Sequence, residues 1–147
     1  MAIATTRADD DGQRAGCLVG FTTQCSLNPI RYLVCLSRRN HTFGVAARAS
    51  VLALHFPTPA ERDLAALFGE RTGDTVDKFA RCAWRPGPGG VPVLTGCGAW
   101  FAGAVLDRFD LGDHAGYLLE PVEAAAGTDF EQLGFQAVRT MRPGHPP

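Results

Sequence analysis

The sequence has almost no net charge, because 14 Lys and Arg residues are balanced by 15 Asp and Glu residues over 147 positions. Proteins that bind nucleic acid in general carry a strong basic excess, so the composition argues against that class. Charged residues make up 20% of the chain and apolar residues 46%, whereas disordered chains have fewer apolar side chains and more net charge. We therefore expect a folded globular domain that does not bind nucleic acid.

Long apolar runs and a signal sequence are also missing. The longest nearly apolar stretch, 45–57, is interrupted by Arg48 and His55 and is too short to cross a bilayer. The N-terminus lacks the charged segment followed by an apolar one that marks a secretory signal. The five cysteines are odd in number and form no CxxC pair, a pattern typical of reduced thiols. These absences predict a cytoplasmic protein without a membrane segment.

The common catalytic and metal-binding motifs are absent as well. The sequence contains no GxSxG, GxxxxGKS/T, HExxH or GxGxxG pattern, so it lacks the usual markers of several large enzyme classes. Its four histidines are far apart and show no ligand spacing, so we expect no metal site. Cys25 with His41 or His114 could form a nucleophile–base pair, but nothing in the local sequence favours this over a buried or ligand-facing thiol.

Turn-forming residues are abundant and predict a mostly β fold. Gly and Pro together account for 27 residues, about 18% of the chain, against about 12% in average proteins. Strand-like runs occupy 1–7, 15–21, 32–36, 51–56, 99–109 and 114–124, with a polar loop at 22–29 and a turn cluster without regular structure at 85–90. Six or more strands with two or three short helices indicate a small β-barrel, closed so that no strand edge is exposed.

The helix signals are few and local. Thr58, Pro59 and Glu61 form a capping box ahead of an apolar stripe over 64–68, and the predicted helix ends at Gly69 and Gly73. Shorter helical segments are expected at 40–48 and 77–80. The chain ends in PGHPP, which predicts a frayed terminus.

Acidic residues are missing from one long segment. No Asp or Glu occurs between Gly12 and Ala60, although five arginines do, so this segment carries a formal charge of +5. An anionic ligand would meet no fixed negative charge from it. The alternative is that these arginines only decorate a solvated surface.

Two polar segments within this acid-free stretch are candidate binding sites. TTQCS at 22–26 offers hydroxyls, an amide and backbone N–H groups, which can hydrogen-bond the edge of a planar heterocycle. SRRNHT at 37–42 gathers hydroxyls, two arginines and a histidine ahead of a predicted helix, groups that suit a phosphate. A solvated turn is the alternative for SRRNHT. Because one strand separates the segments, they could serve a single phosphate-bearing heterocycle.

Several longer stretches resemble one known family. They are GCLVGFTTQCSLNPIRYLVCLSRRNHTFGVA, LAALFG after LHF, DKFARCAW and GVPVLTGCGAWFAGAVLDRFDLGDHAGYLLEPV, in this order. Together they resemble the flavin reductase-like family, whose fold is an FMN-binding split β-barrel of Greek-key type. The resemblance predicts a split-barrel domain over 1–125 and a C-terminal tail over 126–147 that is partly helical or frayed.

The resemblance implies a homodimer that binds FMN or FAD near the subunit interface and reduces it with NADH or NADPH, often for a separate flavin-dependent monooxygenase. His114 is implied as the catalytic residue on the nicotinamide side. The implied cofactor-binding residues are Thr22, Thr23, Gln24, Cys25 and Ser26 for the ring and ribityl chain, Ser37, Arg39, Asn40, His41 and Thr42 for the phosphate, and Lys78 and Phe79 near the flavin.

Three functions remain open at this point. The first is an NAD(P)H:flavin oxidoreductase, in which the cofactor supplies the hydride chemistry. The second is a flavin-binding sensor or electron carrier of the same fold, and the third is a barrel that binds another phosphorylated ligand without redox chemistry. The apolar residues Trp100, Phe101, Val105 and Leu118 are expected to remain available for a dimer interface.

Overall fold

The computed structural model describes residues 1–144 and consists mainly of one antiparallel sheet. Seven strands form this sheet in the order β2-β1-β5-β8-β9-β4-β3. Their bounds are Ala2–Arg7 (β1), Arg14–Val19 (β2), Thr22–Leu27 (β3), Ile30–Ser37 (β4), Val51–His55 (β5), Ala99–Asp110 (β8) and His114–Ala126 (β9). Trp84–Pro86 (β6) and Pro92–Leu94 (β7) form a separate two-stranded hairpin.

Three short α-helices accompany the sheet, at His41–Ala46 (α1), Arg62–Glu70 (α2) and Phe135–Val138 (α3). The predicted capping interaction precedes α2, where the Glu61 carboxylate accepts a hydrogen bond from the Thr58 N–H at 2.8 Å. Within residues 1–144, no helix has the length and apolar character that a membrane span requires. Residues 145–147, part of the predicted frayed terminus, lie outside the described residues.

The mostly β class is confirmed, but the prediction of a closed barrel is wrong. The ladder is open, with β2 and β3 as its two edges. Both edges are protected without closure: α1 and α2 pack against β2, while β3 carries polar side chains and a bulge between Gln24 and Ser26. Coverage, polarity and bulges each discourage pairing with another strand.

Two local predictions are also corrected. The predicted loop at 22–29 contains β3, because the backbone of Thr22–Leu27 pairs with β4 although its side chains are polar and mostly exposed. An edge strand tolerates such a pattern, since it contributes backbone hydrogen bonds without filling the core. The turn cluster at 85–90 includes part of β6, which pairs with β7 over three residues before the glycines reverse the chain.

Side chains from both faces of the sheet are buried. Leu36, Leu52, Leu54 and Leu119 pack in the main cluster, while Ile3 packs with Phe68 and other residues in a second. Trp100 and Phe101, expected to remain available for a dimer interface, are buried within the subunit. Adjacent strand residues point to opposite faces of a sheet, so the two aromatic rings enter different clusters.

His55 is a fully buried histidine that joins three strands. Its Nδ1 lies 3.1 Å from the Ile3 carbonyl oxygen in β1, and its Nε2 accepts a hydrogen bond from the Leu94 N–H in β7 at 3.0 Å. This pairing requires a neutral ring with the proton on Nδ1, because a second ring proton would face the Leu94 N–H. Burial lowers the pKa of His55 to about 4.

We predict a pH dependence of stability that originates at His55. Below pH 6.5 the unfolded chain binds a proton that the native ring does not, so the free energy of unfolding should fall between pH 6.5 and about 4 and be insensitive to this group at higher pH. The full effect is about 3 kcal/mol. Urea denaturation of wild type and His55→Gln at pH 4.5, 5.5 and 7 measures it. Identical pH slopes in the two proteins would contradict the assignment.

Candidate functional site

Strand register brings the SRRNHT segment beside the turn between β8 and β9. Ser37, the last residue of β4, lies opposite His114, the first residue of β9. One residue further on, the Arg38 N–H donates a hydrogen bond to the Asp113 carbonyl at 3.0 Å. Two segments more than seventy residues apart in sequence are therefore fixed side by side.

A cavity of about 400 Å³, here called the His114 cavity, opens at this junction. Its lining includes three residues predicted for the site: Ser37, Asn40 and His114. It also includes residues that sequence reasoning missed, among them Met1, Cys17, Leu18, Cys35 and Phe135. Both cysteines stand in continuously apolar runs of β2 and β4, which do not indicate the face on which a side chain lies, and no local signal pointed to Phe135.

A second cavity adjoins the first and is called the Thr22 cavity. It measures about 330 Å³ and is lined by Thr22, Thr23 and Leu33, together with Gly20, Phe21 and Cys35, which it shares with the His114 cavity. Burial raises the pKa of the Cys35 thiol, so this shared wall presents a neutral group. The two cavities thus form one continuous, largely apolar surface that can accept a planar ring.

The rest of the TTQCS segment lies farther along β3. Gln24 and Cys25 are exposed, and the Gln24 amide donates a hydrogen bond to the Ser26 carbonyl at 3.2 Å. Within residues 1–144, Gln24, Cys25 and Ser26 line neither the His114 cavity nor the Thr22 cavity. No hydrogen bond joins Cys25 to a histidine in this range.

His114 is held in a defined orientation. Its Nδ1 lies 2.7 Å from the Asp113 carboxylate, and its ring packs edge-on against Phe21 with centroids 5.2 Å apart. The hydrogen bond from His114 lowers the pKa of Asp113, so this carboxylate remains ionised at neutral pH. With Nδ1 engaged, Nε2 is the ring atom left to contact a ligand in the cavity.

The two adjacent arginines of SRRNHT have different environments. Arg38 donates to the Gly112 carbonyl at 2.9 Å and forms a salt bridge with Asp110 at 2.9 Å. The exposed Arg39 side chain, by contrast, has no salt-bridge partner among residues 1–144. Arg39 is therefore the arginine of this pair that can bind an added anion.

The remaining residues of the segment mostly serve the local fold. The Asn40 side chain caps α1 by accepting a hydrogen bond from the Thr42 N–H at 2.9 Å. The Thr42 side chain is only 1% exposed and faces the interior beside Cys17. His41 forms a 2.7 Å hydrogen bond with Asp74 and is not among the residues that line the His114 cavity.

Lys78 and Phe79 lie in a separate place, the Lys78 cavity. This cavity of about 320 Å³ is lined by His41, Asp74, Asp77, Lys78 and Phe79, among others. The Lys78 ammonium, from a residue only 4% exposed, donates to the Gly16 carbonyl at 2.8 Å and the Phe68 carbonyl at 3.2 Å. Burial lowers its pKa. Lys78 therefore ties β2 to α2, and the structure does not bring it to the His114 cavity.

The positive charge of the acid-free segment is largely neutralised by residues from outside it. Arg31 pairs with Glu120, Arg38 with Asp110, and Arg48 with both Asp10 and Asp11. Arg14 lies over the Trp84 ring at 4.7 Å. Of the five arginines of this segment, Arg39 alone has neither a salt-bridge partner nor an aromatic partner among residues 1–144.

The family described as "Flavin reductase like domain" matches residues 1–143. The chain belongs to this family.

Curated relatives from the flavin reductase-like family are distant in sequence. The probable flavin reductase of Rhizobium meliloti is 26% identical over 140 residues, covering 95% of this chain and 42% of the relative. The stachydrine N-demethylase reductase subunit Stc3 of the same organism is 26% identical over 130 residues, covering 88% and 55%. FMN reductase (NADH) RutF of Methylorubrum extorquens is 29% identical over 127 residues, covering 86% and 61%. This chain therefore spans only 42% to 61% of the length of these relatives.

Solved structures share the fold. NADH:FAD oxidoreductase SgcE6 of Streptomyces globisporus superposes with a TM-score of 0.80 at 21% identity, covering 89% of this chain and 77% of that one. The FMN-binding protein of Thermus thermophilus with bound p-hydroxybenzaldehyde gives 0.78 at 24% identity, covering 85% and 70%. These similarities support the flavin reductase-like fold of the chain.

The observed donor set fits a flavin nucleotide. The His114 and Thr22 cavities together have an apolar wall, and none of their lining residues is an Asp or Glu. Ser37 and Asn40 supply polar groups to the lining, and Arg39, which has no salt-bridge partner among residues 1–144, lies between them in the sequence. A planar ring with a phosphate tail needs this combination of an apolar slot and a cationic, hydrogen-bonding end.

We predict that Arg39→Ala weakens FMN more than riboflavin. Loss of a charge-assisted contact to phosphate should lower FMN affinity about tenfold, while riboflavin, which has no phosphate, should bind within about twofold of wild type. Fluorescence quenching on titration with each flavin measures both. Arg38→Ala is the matched control, because it removes an arginine paired with Asp110 and should affect both flavins equally. Equal weakening of FMN and riboflavin in Arg39→Ala would show that Arg39 does not contact the phosphate.

Proposed function

We propose that this chain is a flavin reductase domain that transfers hydride from NADH or NADPH to FMN or FAD. The observation that carries the proposal is the convergence of Ser37, Asn40 and His114 on one acid-free cavity, in a chain that matches the flavin reductase-like domain over 1–143. The names of the relatives, which include flavin reductases and FMN reductase (NADH), support the same activity.

In this proposal, polar groups bind the flavin from two directions. Ser37, Arg39 and Asn40 hold the phosphate, while Thr22 and Thr23 line the ring. Because β3 is an edge strand, N–H groups alternate between pairing with β4 and pointing away from it, so one of the two N–H groups of Thr22 and Thr23 is free to donate. Such donors stabilise negative charge at the edge of a reduced ring.

A bound flavin supplies the redox chemistry by accepting hydride from the nicotinamide. The protein's task is to align the two rings and exclude water from them. His114 is positioned to align the nicotinamide. Its Nδ1 lies 2.7 Å from the Asp113 carboxylate oxygen, which leaves Nε2 to donate a hydrogen bond to the nicotinamide nucleotide or to accept one from it. No covalent catalyst is required.

A flavin-dependent monooxygenase is the proposed recipient of the reduced flavin. Two relatives are named as a stachydrine N-demethylase reductase subunit and as the reductase component of a flavin-dependent trigonelline monooxygenase. The five cysteines are all free, which supports action in the reducing cytoplasm.

A homodimer is also proposed, with exposed apolar side chains at its interface. Leu27 and Ile30 flank the turn between β3 and β4, and Leu27 is 82% exposed. Phe21, at the start of the same hairpin and in the wall of both cavities, is exposed as well. Contact between copies at this hairpin would bury apolar area and cover the Thr22 cavity.

We predict that Leu27→Asp converts the dimer to a monomer. Burying a leucine contributes about 1.5–3 kcal/mol, and the carboxylate would also be desolvated without a partner. Light scattering at micromolar concentration measures the mass. The control is Asn28→Asp, which adds a charge in the same turn without removing apolar surface. A wild-type protein that is monomeric with flavin fully bound would contradict the proposed dimer.

The activity itself is tested by comparing wild type with His114→Ala. Wild type should consume NADH or NADPH when flavin is added. The variant should show a KM for the nicotinamide nucleotide raised about fivefold or a slower reduction step, from loss of one hydrogen bond. Its flavin affinity should stay within about twofold of wild type, because other residues hold the phosphate.

Other results of these measurements would favour one of the alternative functions or a different role for His114. Flavin binding without NAD(P)H consumption would indicate a sensor or electron carrier, and absence of flavin binding would indicate a different phosphorylated ligand. A change in thermal stability of His114→Ala with unchanged kinetics would mean that the histidine only supports the turn. Loss of flavin affinity would mean that His114 contacts the flavin instead.

A further inference from the structure

A further cavity lies beside the His114 cavity, beneath the C-terminal segment. This Arg139 cavity measures about 470 Å³, and its lining includes Phe68, Arg139 and Met141. It shares Met1, Leu18, Asn40 and Phe135 with the His114 cavity. The two cavities are therefore neighbours with a common wall, and one extended ligand could occupy both.

The C-terminal segment that forms this wall is firmly attached to the domain. Leu133 and Val138 are buried against Ala65 of α2. The Leu133 N–H donates to the Pro57 carbonyl at 2.7 Å, and the Gly144 N–H donates to the Gly69 carbonyl at 3.1 Å. Phe135, between these anchors, is nevertheless 63% exposed. Its position at the rim of both cavities is thus fixed while its ring stays available for stacking.

Charge distinguishes this pair of cavities from the Lys78 cavity. Among residues 1–144, no carboxylate lines the His114 or the Arg139 cavity, whereas Asp74 and Asp77 both line the Lys78 cavity. Arg139 forms no salt bridge with any residue in 1–144. A ligand carrying phosphate would therefore be favoured along the path from the His114 cavity into the Arg139 cavity.

The position of Asn40 indicates which end of a flavin nucleotide would enter the Arg139 cavity. It belongs to the proposed phosphate site and lines both cavities. In FMN the chain ends at the phosphate, whereas in FAD a second phosphate, a ribose and an adenine follow it. A flavin with its ring in the His114 and Thr22 cavities would reach the Arg139 cavity only with the part beyond its first phosphate.

We infer that the Arg139 cavity holds the adenylate half of FAD, with Arg139 binding the second phosphate and Phe135 stacking on the adenine. The cavity volume of about 470 Å³ falls in the range of about 300–1,000 Å³ typical of small-molecule sites. Its mostly apolar lining suits a heterocyclic base. This inference rests on the proposed function and makes FAD the preferred flavin.

The test compares FMN and FAD binding to the full chain by fluorescence quenching. Wild type should bind FAD about tenfold more tightly than FMN, as expected for one charge-assisted contact plus stacking. Arg139→Gln should reduce this preference while FMN affinity stays within about twofold of wild type, because Arg139 lines only the Arg139 cavity. Phe135→Ala should also lower the ratio of FAD affinity to FMN affinity. Because both side chains are exposed, the variants should fold, which thermal melts verify. AMP should compete with FAD and leave FMN binding unchanged.

Two variants in the same segment serve as controls. Arg142→Gln removes an exposed arginine, and Phe130→Ala removes an aromatic ring that lines a different cavity, near Phe56 and Trp100. Neither should change the FAD preference.

Equal affinity of wild type for FMN and FAD would overturn the inference. An equal loss of affinity for both flavins in Arg139→Gln would overturn it as well. Either result leaves the proposed reductase function intact, because flavin still binds to wild type. Absence of binding by both flavins would overturn the proposed function together with this inference.

Discussion

The pairing of β4 with β9 is the constraint on which the candidate site depends. It places Ser37 opposite His114 and continues through the hydrogen bond from the Arg38 N–H to the Asp113 carbonyl. A shift by one residue would turn every side chain of a strand to the other face and would separate the polar segment from the histidine. The buried residues Val34, Leu36, Tyr117 and Leu119 on the same two strands hold the register, so the core and the site are fixed by the same contacts.

Charge pairing then selects among the polar residues that this register brings together. A salt bridge between Asp110 and Arg38 and a hydrogen bond between Asp74 and His41 occupy two groups of the SRRNHT segment, while Arg39 remains available. Exposed ion pairs contribute little to stability, but they decide which cation can meet an incoming anion. The site thus contains fewer unpaired polar and charged groups than the sequence suggests.

Buried polar groups connect the sheet to the elements around it. His55 joins β1, β5 and β7 through two backbone hydrogen bonds, and Lys78 joins β2 to α2 in the same way. Each would carry a desolvation cost if its partners were removed. Both side chains stabilise the fold through these hydrogen bonds. Because the Lys78 ammonium is bound to backbone carbonyls, it does not face the proposed flavin cavities.

Local signals in the sequence determined the mostly β class, the long strands of the β8–β9 hairpin and the capping interaction at Thr58 and Glu61, because periodicity, turn residues and caps act over a few positions. The position of the polar 37–42 segment beside His114 was not determined in this way, since it depends on the register of β4 with β9. Only the tertiary structure decided that the sheet stays open, that Trp100 and Phe101 are buried, that Thr42 and Lys78 face inward, and that Phe135 reaches the cavity rim. Each of these depends on contacts between residues far apart in sequence. The charge pairing of the acid-free segment could not be predicted from the sequence for the same reason, since its neutralising carboxylates come from strands and turns outside it.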